Sequence, residues 1–303
     1  MNILLTGAFK YSEDNLCKIG TMGFDIDFLQ YESDKVEHPE KYDAVICNGL
    51  FLHNNIEVFS RLKYIQLTSA GYDRVPMGYI KAHGIEIHNA RGVYSIPMAE
   101  WAVLKTLELY KQSRVFYKNQ SCGVWEKRRD LAELCEKTVT IVGCGSIGTE
   151  AAKRFKAFGV HITGVDLFEP AGQYYDEFVH VSHLKDALEK TDVLVLTLPL
   201  TDETYHLIDA ECFEIMKSNT ILVNISRGKV VDETALIAAL QATKIGGAAI
   251  DVFEEEPLDK SSPMWKMDNV IATPHNSFVG DGNHERMFEV IINNLKVWLK
   301  ADG

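Results

Sequence analysis

Short apolar runs alternate with longer, more polar segments through the first 95 residues of the chain. The runs are Ile3 to Thr6, Phe24 to Leu29, Ala44 to Cys47, Tyr64 to Leu67 and Ile85 to His88. Each has the length and the apolar, often β-branched content of a buried strand, and the segments between them can form helices. This alternation predicts a parallel sheet assembled from βα units.

A second series of the same kind starts near residue 138. Helices are predicted in its gaps, notably over Asp232 to Thr243. Because domains average about 150 residues, a chain of 303 residues with two such series is predicted to form two α/β domains. The strands of the second series are predicted at Thr138 to Val142, Val160 to Asp166, Val193 to Leu198, Ile221 to Asn224, Ala248 to Asp251 and Val270 to Thr273.

Three segments outside the strands shape this organisation. Ser95 to about Asn119 has apolar residues at helical spacing and is predicted to be one helix, long enough to cross from one domain to the other. Asn119 to Arg129 is polar and is predicted to be a loop or a projecting arm, with a solvated turn as the favoured interpretation. Glu285 to Lys300 is amphipathic and is predicted to pack back on the first domain, which leaves a cleft between the domains as the natural site.

The charge balance bounds the partners. With 31 basic and 43 acidic side chains the net charge is -12, which repels nucleic acid and anionic membranes and favours a small-molecule substrate. No apolar run approaches the roughly 20 residues that span a bilayer, and Met1 to Thr6 lacks a basic n-region. We therefore expect a cytoplasmic protein with no nucleic-acid or membrane partner.

The cysteines and histidines predict neither disulfides nor a metal site. The six cysteines show no C-x-x-C pair or metal-finger spacing, so reduced thiols are expected. His180 and His183 stand three residues apart, but no cluster of carboxylates or thiols completes a ligand set, and they are interpreted as ordinary histidines.

The run Val139 to Val142 breaks into the spacing G-x-G-x-x-G at Gly143, Gly145 and Gly148. In a strand-to-helix turn the first glycine allows the tight turn, the second lets backbone approach a pyrophosphate, and the third packs helix on strand. The N–H groups of Ser146 and Ile147 would begin the helix and face the phosphates. The motif predicts dinucleotide binding.

Asp166 ends the next apolar run, eighteen positions after Gly148. An acidic residue there can bond both hydroxyls of an adenosine ribose and would repel a 2′-phosphate. The following residues, Leu167 to Glu169, supply no arginine. NAD is therefore predicted in preference to NADP.

Polar side chains follow three later strands of the second series: Arg227, Glu256 and His275. The carboxyl ends of parallel strands share an edge with the glycine turn, so the three are expected to meet at the nicotinamide. Histidine can give a proton to a carbonyl oxygen and take it back, a carboxylate can fix its tautomer and favour the protonated ring, and arginine can fork onto a carboxylate. The trio predicts hydride transfer at C2 of a 2-keto or 2-hydroxy acid.

Several short motifs stand between about Tyr64 and Trp298. They are L-T-S-A-G-Y-D (67–73), G-V-Y-S (92–95), A-E-W (99–101), the glycine turn, L-P-L-T-D-E-T (198–204), N-I-S-R-G (224–228), D-V-F-E-E-E-P (251–257) and T-P-H (273–275). With these motifs the chain resembles the D-isomer-specific 2-hydroxyacid dehydrogenases. The departures are Glu136, where glycine is usual, and Cys144 in the variable slot of the glycine turn.

The resemblance implies an α/β fold with two domains. A flavodoxin-like substrate domain, residues 1–95 and 276–303, would have a Rossmann-type doubly wound NAD-binding domain, residues 96–275, inserted into it. It implies a homodimer with an intersubunit contact over Glu100 to Leu134. The resemblance places catalysis on Arg227, Glu256 and His275. It places the substrate carboxylate on Ser69, Ala70 and Gly71 together with Arg227. The adenosine would lie beside Thr197, Leu198 and Pro199, and the nicotinamide amide beside Asp251.

Three functions stay open at this point. An NAD-dependent 2-keto acid reductase is favoured, with a small or moderately apolar substrate, because the segment Asn48 to Leu52 and Tyr72 offer apolar bulk. Phosphoglycerate dehydrogenase is the alternative, although Lys10, Arg74 and Arg91 are scattered in sequence. A non-catalytic NAD-sensing protein of the corepressor kind is the third.

Overall fold

A computed structural model describes residues 1–170 and 172–301. The chain forms two compact units, the first made of Met1–Tyr94 with Gly280–Gly303 and the second of Ser95–Val279. Each unit is built on its own parallel sheet. Within the described ranges, no helix has the length and apolarity needed to span a membrane.

The first unit holds a five-stranded parallel sheet in the order β2-β1-β3-β4-β5. This is the doubly wound order of flavodoxin-like folds, in which the switch point lies between β1 and β3. The strands are β1 (Asn2–Thr6), β2 (Asp25–Leu29), β3 (Ala44–Cys47), β4 (Tyr64–Leu67) and β5 (Glu86–His88), and the helices between them are α1 (Glu13–Gly20) and α2 (Met77–Ala82).

Neighbouring residues of each central strand in this unit enter opposite cores. Ile3 and Leu5 pack in the core on one face of the sheet, whereas Leu4 packs in the core on the other face. The continuous apolar runs read from the sequence therefore reflect burial on both faces, as parallel sheets require.

The second unit holds a seven-stranded parallel sheet in the order β12-β11-β10-β9-β6-β7-β8. Numbered from its own first strand, this is the Rossmann order with one additional strand. Its strands are β6 (Thr138–Val142), β7 (His161–Asp166), β8 (Glu177–His180), β9 (Val193–Leu196), β10 (Ile221–Asn224), β11 (Gly247–Ile250) and β12 (Val270–Ala272). Its helices are α3 (Ser95–Tyr110), α4 (Ser113–Ser121), α5 (Ser146–Lys156), α6 (Leu184–Leu188), α7 (Ala210–Ile215) and α8 (Glu233–Gln241).

The chain ends in α9 (Asn283–Ala301), which belongs to the first unit. Met287, Ile291 and Trp298 lie in the same core as Tyr64 of β4. The side-chain amide of Asn294 also donates to Oε1 of the buried Gln66 on β4, at 2.9 Å. The amphipathic pattern of the segment is thus explained by burial of one helix face against the sheet of this unit.

Two local predictions were wrong. The segment after Ser95 is not one helix: it breaks between α3 and α4, where Gln112 adopts a left-handed φ of 49°. No glycine or proline marks this break in the sequence. The strand β8 was missed because it is short, half-exposed and polar at both ends, which is typical of an edge strand that is hydrogen-bonded only to β7.

Glu136 shows why glycine is usual at its position. It precedes β6 with a φ of 62°, a conformation that side chains disfavour. Its backbone N–H donates to Gly159 O at 3.0 Å, which joins the segment before β6 to the turn after α5. The local turn is therefore kept despite the substitution.

Candidate active site

The glycine turn follows β6 and leads into α5. Gly143 has a φ of 95°, and a Cβ there would lie 2.7 Å from the backbone N of Leu198. A Cβ on Gly148 would lie 2.1 Å from the carbonyl oxygen of Gly143. Both glycines are therefore required by backbone packing inside the protein.

Gly145 differs from the other two because a Cβ there would meet no described atom within 4 Å. Its place is open space in front of the first turn of α5, for which it is the N-cap. The first N–H groups of an α-helix have no partner within the helix and attract anions. An open glycine at a helix N-terminus fits a pyrophosphate.

Asp166 ends β7 beside this turn. Its carboxylate accepts from the backbone N–H of Cys144 at 2.6 Å and from that of Leu167 at 2.7 Å. Leu167 and Phe168 project outward, with 60% and 81% of their surface exposed. The carboxylate is thus held in a defined position at the strand end, next to exposed apolar side chains.

Thr197 and the side chain of Cys144 also pack against the glycine turn. The hydroxyl of Thr197 donates to Gly143 O at 2.5 Å, so the segment from Thr197 to Pro199 runs alongside the glycines. Cys144 is buried beneath the turn, and burial raises the pKa of its thiol to about 12. The cysteine in the variable slot is therefore a packing residue that stays protonated at neutral pH.

His275 and Glu256 come together in the second unit, although 19 positions separate them. Nδ1 of His275 lies 2.9 Å from Glu256 Oε2, and the backbone N–H of Phe253 donates to Glu256 Oε1 at 3.1 Å. Among the residues described, none hydrogen-bonds Nε2 of His275, and 41% of the side chain is exposed. The ring is oriented from one nitrogen and presents the other outward.

The turn that carries His275 is shaped by Asp251, which is fully buried. Its carboxylate accepts from Thr273 Oγ1 at 2.5 Å and from the backbone N–H groups of Asn276 at 2.9 Å and Ser277 at 2.8 Å. His275 has a left-handed φ of 51° within this turn. Such backbone strain persists only where the surroundings impose it, and Asp251 supplies that constraint.

Arg227 follows β10 in a loop that packs against the loop of Glu256. Its guanidinium Nη1 donates to Ser226 O at 2.8 Å. The next residue, Gly228, has no room for a side chain, since a Cβ would lie 1.9 Å from the backbone carbon of Phe253. The structure thus joins the backbones of the two loops that carry the predicted arginine and glutamate.

In the first unit, the predicted carboxylate loop Ser69 to Gly71 follows β4. The carbonyls of Thr68, Ser69 and Ala70 accept, respectively, from Tyr94 Oη at 2.5 Å, from the backbone N of Ala90 at 2.9 Å and from Asn89 Nδ2 at 2.5 Å. Within residues 1–170 and 172–301, nothing accepts from the N–H groups of Ala70 and Gly71. A loop with its carbonyls engaged and two N–H groups unpaired fits an anion.

Asn89 and the hydroxyl of Tyr94 were not predicted from the sequence as parts of a site. Asn89 carried no signal there, and Tyr94 stood inside the G-V-Y-S motif without a role. Their contacts join positions 19 and 26 residues apart, so only the folded chain shows them.

His180 and His183 belong to no ligand set in the described part of the chain. His180 Nδ1 lies 2.8 Å from Ser182 Oγ, and His183 faces Asp186 at 3.4 Å on the surface. No group of three or more potential metal-binding side chains occurs among the residues that could be searched.

Comparison with known proteins identifies the family. The model of the D-isomer specific 2-hydroxyacid dehydrogenase NAD binding domain matches residues 103–277. The chain belongs to this family. It is an NAD-dependent oxidoreductase acting on D-2-hydroxy acids, and its second unit is the dinucleotide-binding Rossmann fold of the family.

Individual relatives show the range within the family. A glyoxylate reductase of Thermofilum pendens is 35% identical over 254 residues, 80% of this chain and 73% of that protein. A D-3-phosphoglycerate dehydrogenase of Methanocaldococcus jannaschii is 34% identical over 249 residues, 82% of this chain but 47% of that protein. The crystal structure of a D-lactate dehydrogenase from Aquifex aeolicus, complexed with NAD and lactic acid, superposes with a TM-score of 0.81 at 26% identity and covers 99% of this chain and 96% of that one.

Proposed function

We propose that this enzyme reduces a small or moderately apolar 2-keto acid at C2, with His275 as the general acid and Glu256 as the residue that orients it. The observation that carries the proposal is the Nδ1 contact of His275 with Glu256 Oε2 at 2.9 Å. It leaves Nε2 pointing outward, where a proton can be given to a substrate oxygen.

When bound, NADH supplies a hydride to the substrate carbon. The residues of the chain handle the proton and the charges. His275 donates a proton from Nε2 to the carbonyl oxygen and takes it back in the reverse direction, while Glu256 stabilises the ring from its other nitrogen. Arg227 binds the substrate carboxylate and polarises the carbonyl.

We propose that the N–H groups of Ser69, Ala70 and Gly71 also bind that carboxylate. The support is the hydrogen bonding of the loop. The carbonyls of Thr68, Ser69 and Ala70 accept from other groups, which fixes the loop, and the N–H groups of Ala70 and Gly71 have no acceptor among the described residues and are available to an anion. On this assignment residues 1–95 and 276–303 act as the substrate domain and residues 96–275 as the cofactor domain.

The cofactor contacts are proposed along the carboxyl edge of the Rossmann sheet. Gly143, Gly145 and Gly148 with the N–H groups of Ser146 and Ile147 would bind the pyrophosphate. The open space at Gly145 supports this. The ribose would be bound by Asp166, the adenosine would lie beside Thr197, Leu198 and Pro199, and Asp251 would lie beside the nicotinamide amide.

The nature of the substrate rests on two kinds of support. Several relatives that are 33% to 35% identical are named glyoxylate reductase, and the segment after β3 exposes Leu52. Phosphohydroxypyruvate is a second candidate because other relatives are named D-3-phosphoglycerate dehydrogenase. Rates of NADH oxidation with pyruvate, glyoxylate, hydroxypyruvate, 2-ketoisocaproate and phosphohydroxypyruvate decide between them, and preference for the last would overturn our choice.

We also propose a homodimer in the cytoplasm. The segment Glu100 to Leu134, proposed to contact the partner, exposes Leu104, Tyr117 and Trp125, whose exposed fractions are 50%, 61% and 95%. Light scattering should give twice the mass of 34.1 kDa, and a monomer at micromolar concentration would refute the dimer. All six cysteines are free thiols, which fits a reducing compartment.

The role of His275 is tested by His275→Gln, with His180→Gln as a control at an exposed histidine outside the proposed site. We expect His275→Gln to lower kcat by about 10²- to 10⁴-fold, the usual contribution of a general acid, while its NADH dissociation constant stays within about twofold of wild type. Full activity in this variant would refute the assignment. NADH binding by wild type without turnover of any of the five keto acids would favour the NAD-sensing alternative.

A further inference from the structure

A second histidine–glutamate pair lies next to the proposed catalytic loop. Nε2 of His206 lies 2.9 Å from Glu254 Oε1. The two side chains are half-buried, each with 28% of its surface exposed. Glu254 precedes Glu256 by two positions, and nothing in the chemistry above uses it.

Glu254 is bound through both its side chain and its backbone. Its Oε1 also accepts from the backbone N–H of Glu233 at 3.0 Å, in the first turn of α8. Its own backbone N–H donates to Glu233 Oε2 at 3.1 Å. The exchange is reciprocal, so the loop after β11 is fastened to the start of α8.

The same position is where the loop of Arg227 packs against the loop of Glu256. A Cβ on Gly228 would lie 2.4 Å from the backbone N of Glu254. His206 adds a third segment, because its backbone N–H donates to Lys229 O at 2.8 Å. The His206 side chain thus contacts the loop of Glu256 while its backbone contacts the loop of Arg227.

The connection to the imidazole is short. The backbone N–H of Phe253, directly before Glu254, donates to Glu256 Oε1, and Glu256 Oε2 contacts His275. A shift of the backbone at Phe253 and Glu254 therefore changes the direction in which the Glu256 carboxylate meets the ring.

We propose that Glu254 and His206 form a positioning pair for the reaction, holding the loops of Arg227 and Glu256 at a fixed separation without touching substrate or cofactor. The inference rests on the proposed function, because it acts through Glu256 and Arg227. A displacement of about 1 Å in a reacting group can cost a hundredfold in rate, so such support is felt in catalysis.

The test compares Glu254→Ala with Glu254→Gln. Glutamine keeps an oxygen that can accept from His206 and from the Glu233 N–H, whereas alanine removes it. With the best keto acid of the panel, we expect Glu254→Ala to lower kcat/KM by between about ten- and a hundredfold and Glu254→Gln to stay within about threefold of wild type. Glu255→Ala, an exposed neighbour in the same loop, is the matched control and should behave as wild type.

The split between kcat and KM separates positioning from a general loss of stability. If the Glu256 and Arg227 loops are displaced, kcat should fall and the KM for the keto acid should rise in Glu254→Ala and not in Glu255→Ala, while the NADH dissociation constant is unchanged. Rates are referred to the fraction of enzyme that binds NADH. A lower melting temperature with unchanged kcat and unchanged KM would overturn the proposal.

His206→Asn removes the same contact from the other side if Glu254→Ala does not fold. Asparagine tolerates the left-handed φ of 50° at this position but is too short to reach Glu254. We expect the same losses, and wild-type kinetics would refute the pair. His275→Gln is measured in parallel: if it is fully active the proposed function fails, and if it is inactive while both pair variants are normal, only this inference fails.

Discussion

The two anion-binding turns proposed for this enzyme expose backbone N–H groups in different ways. The glycine turn in the second unit lacks side chains where the backbone itself must pack, at Gly143 and Gly148. The loop Ser69 to Gly71 in the first unit has side chains at Ser69 and Ala70, and other residues donate to the carbonyls of Thr68, Ser69 and Ala70. The glycine turn keeps its shape because Gly143 and Gly148 lack side chains. The loop Ser69 to Gly71 keeps its shape through hydrogen bonds donated by residues outside it.

This difference decides how each turn can be damaged. A glycine turn fails when a side chain is added, because the added atoms meet backbone that cannot move aside. A loop with engaged carbonyls fails when a distant donor is removed. The first should show in folding and cofactor binding together, and the second mainly in substrate binding.

The largest effect is expected for Gly148→Ala. The new Cβ would lie 2.1 Å from Gly143 O, a backbone atom, so the turn must shift. Overpacking of this kind costs about 1–3 kcal/mol, which corresponds to about 2–4 °C in melting temperature for each kcal/mol. We expect thermal unfolding to show that loss and titration of NADH fluorescence to show at least about tenfold weaker binding.

Gly145→Ala is the control that sharpens this prediction. Its Cβ meets nothing within 4 Å, so only the poorer N-cap preference of alanine acts on stability, and the melting temperature should fall by less than in Gly148→Ala. NADH binding should still weaken, because the methyl group enters the space proposed for the pyrophosphate. A normal melting temperature in Gly148→Ala would show that the two glycines do not differ in the way described.

A smaller effect, confined to the substrate, is expected for Asn89→Ala. It leaves the carbonyl of Ala70 without its donor, at a cost of about 1 kcal/mol for a lost hydrogen bond. The KM for the keto acid should rise about fivefold while the NADH dissociation constant is unchanged. Steady-state kinetics and NADH titration measure the two quantities on the same sample.

Tyr94→Phe should have the smallest effect of the series. It removes only the hydroxyl that donates to Thr68 O, one residue before the loop, so a rise in KM of about two- to threefold is expected. If Asn89→Ala or Tyr94→Phe weakens NADH binding as much as substrate binding, the loop does not have the separate role given to it.

Much of this architecture follows from local patterns. Apolar runs such as Ala44 to Cys47 are buried on both faces, and they could be located because a strand in a parallel sheet has no polar side. The glycine spacing and Asp166 could be recognised in the sequence because the glycines allow close backbone packing at the turn and the carboxylate can bond the ribose hydroxyls. Failures occurred where the local signal was weak, as at Gln112 and at the edge strand β8.

The remaining features depend on contacts between distant positions. Arg227, Glu256 and His275 could be chosen as candidates from the sequence because they follow predicted strands, where a polar side chain near the core costs free energy unless it has a function. The hydrogen bonds made by Asn89, Asp251 and Glu254 could not be predicted, since each depends on which backbone atoms of another loop lie within about 3 Å. Hydrophobic periodicity and turn preferences depend on residues that are close in the sequence, so the sequence by itself determines them. Hydrogen bonds between loops form only after the sheet has brought the strand ends that carry those loops together, so only the tertiary structure decides them.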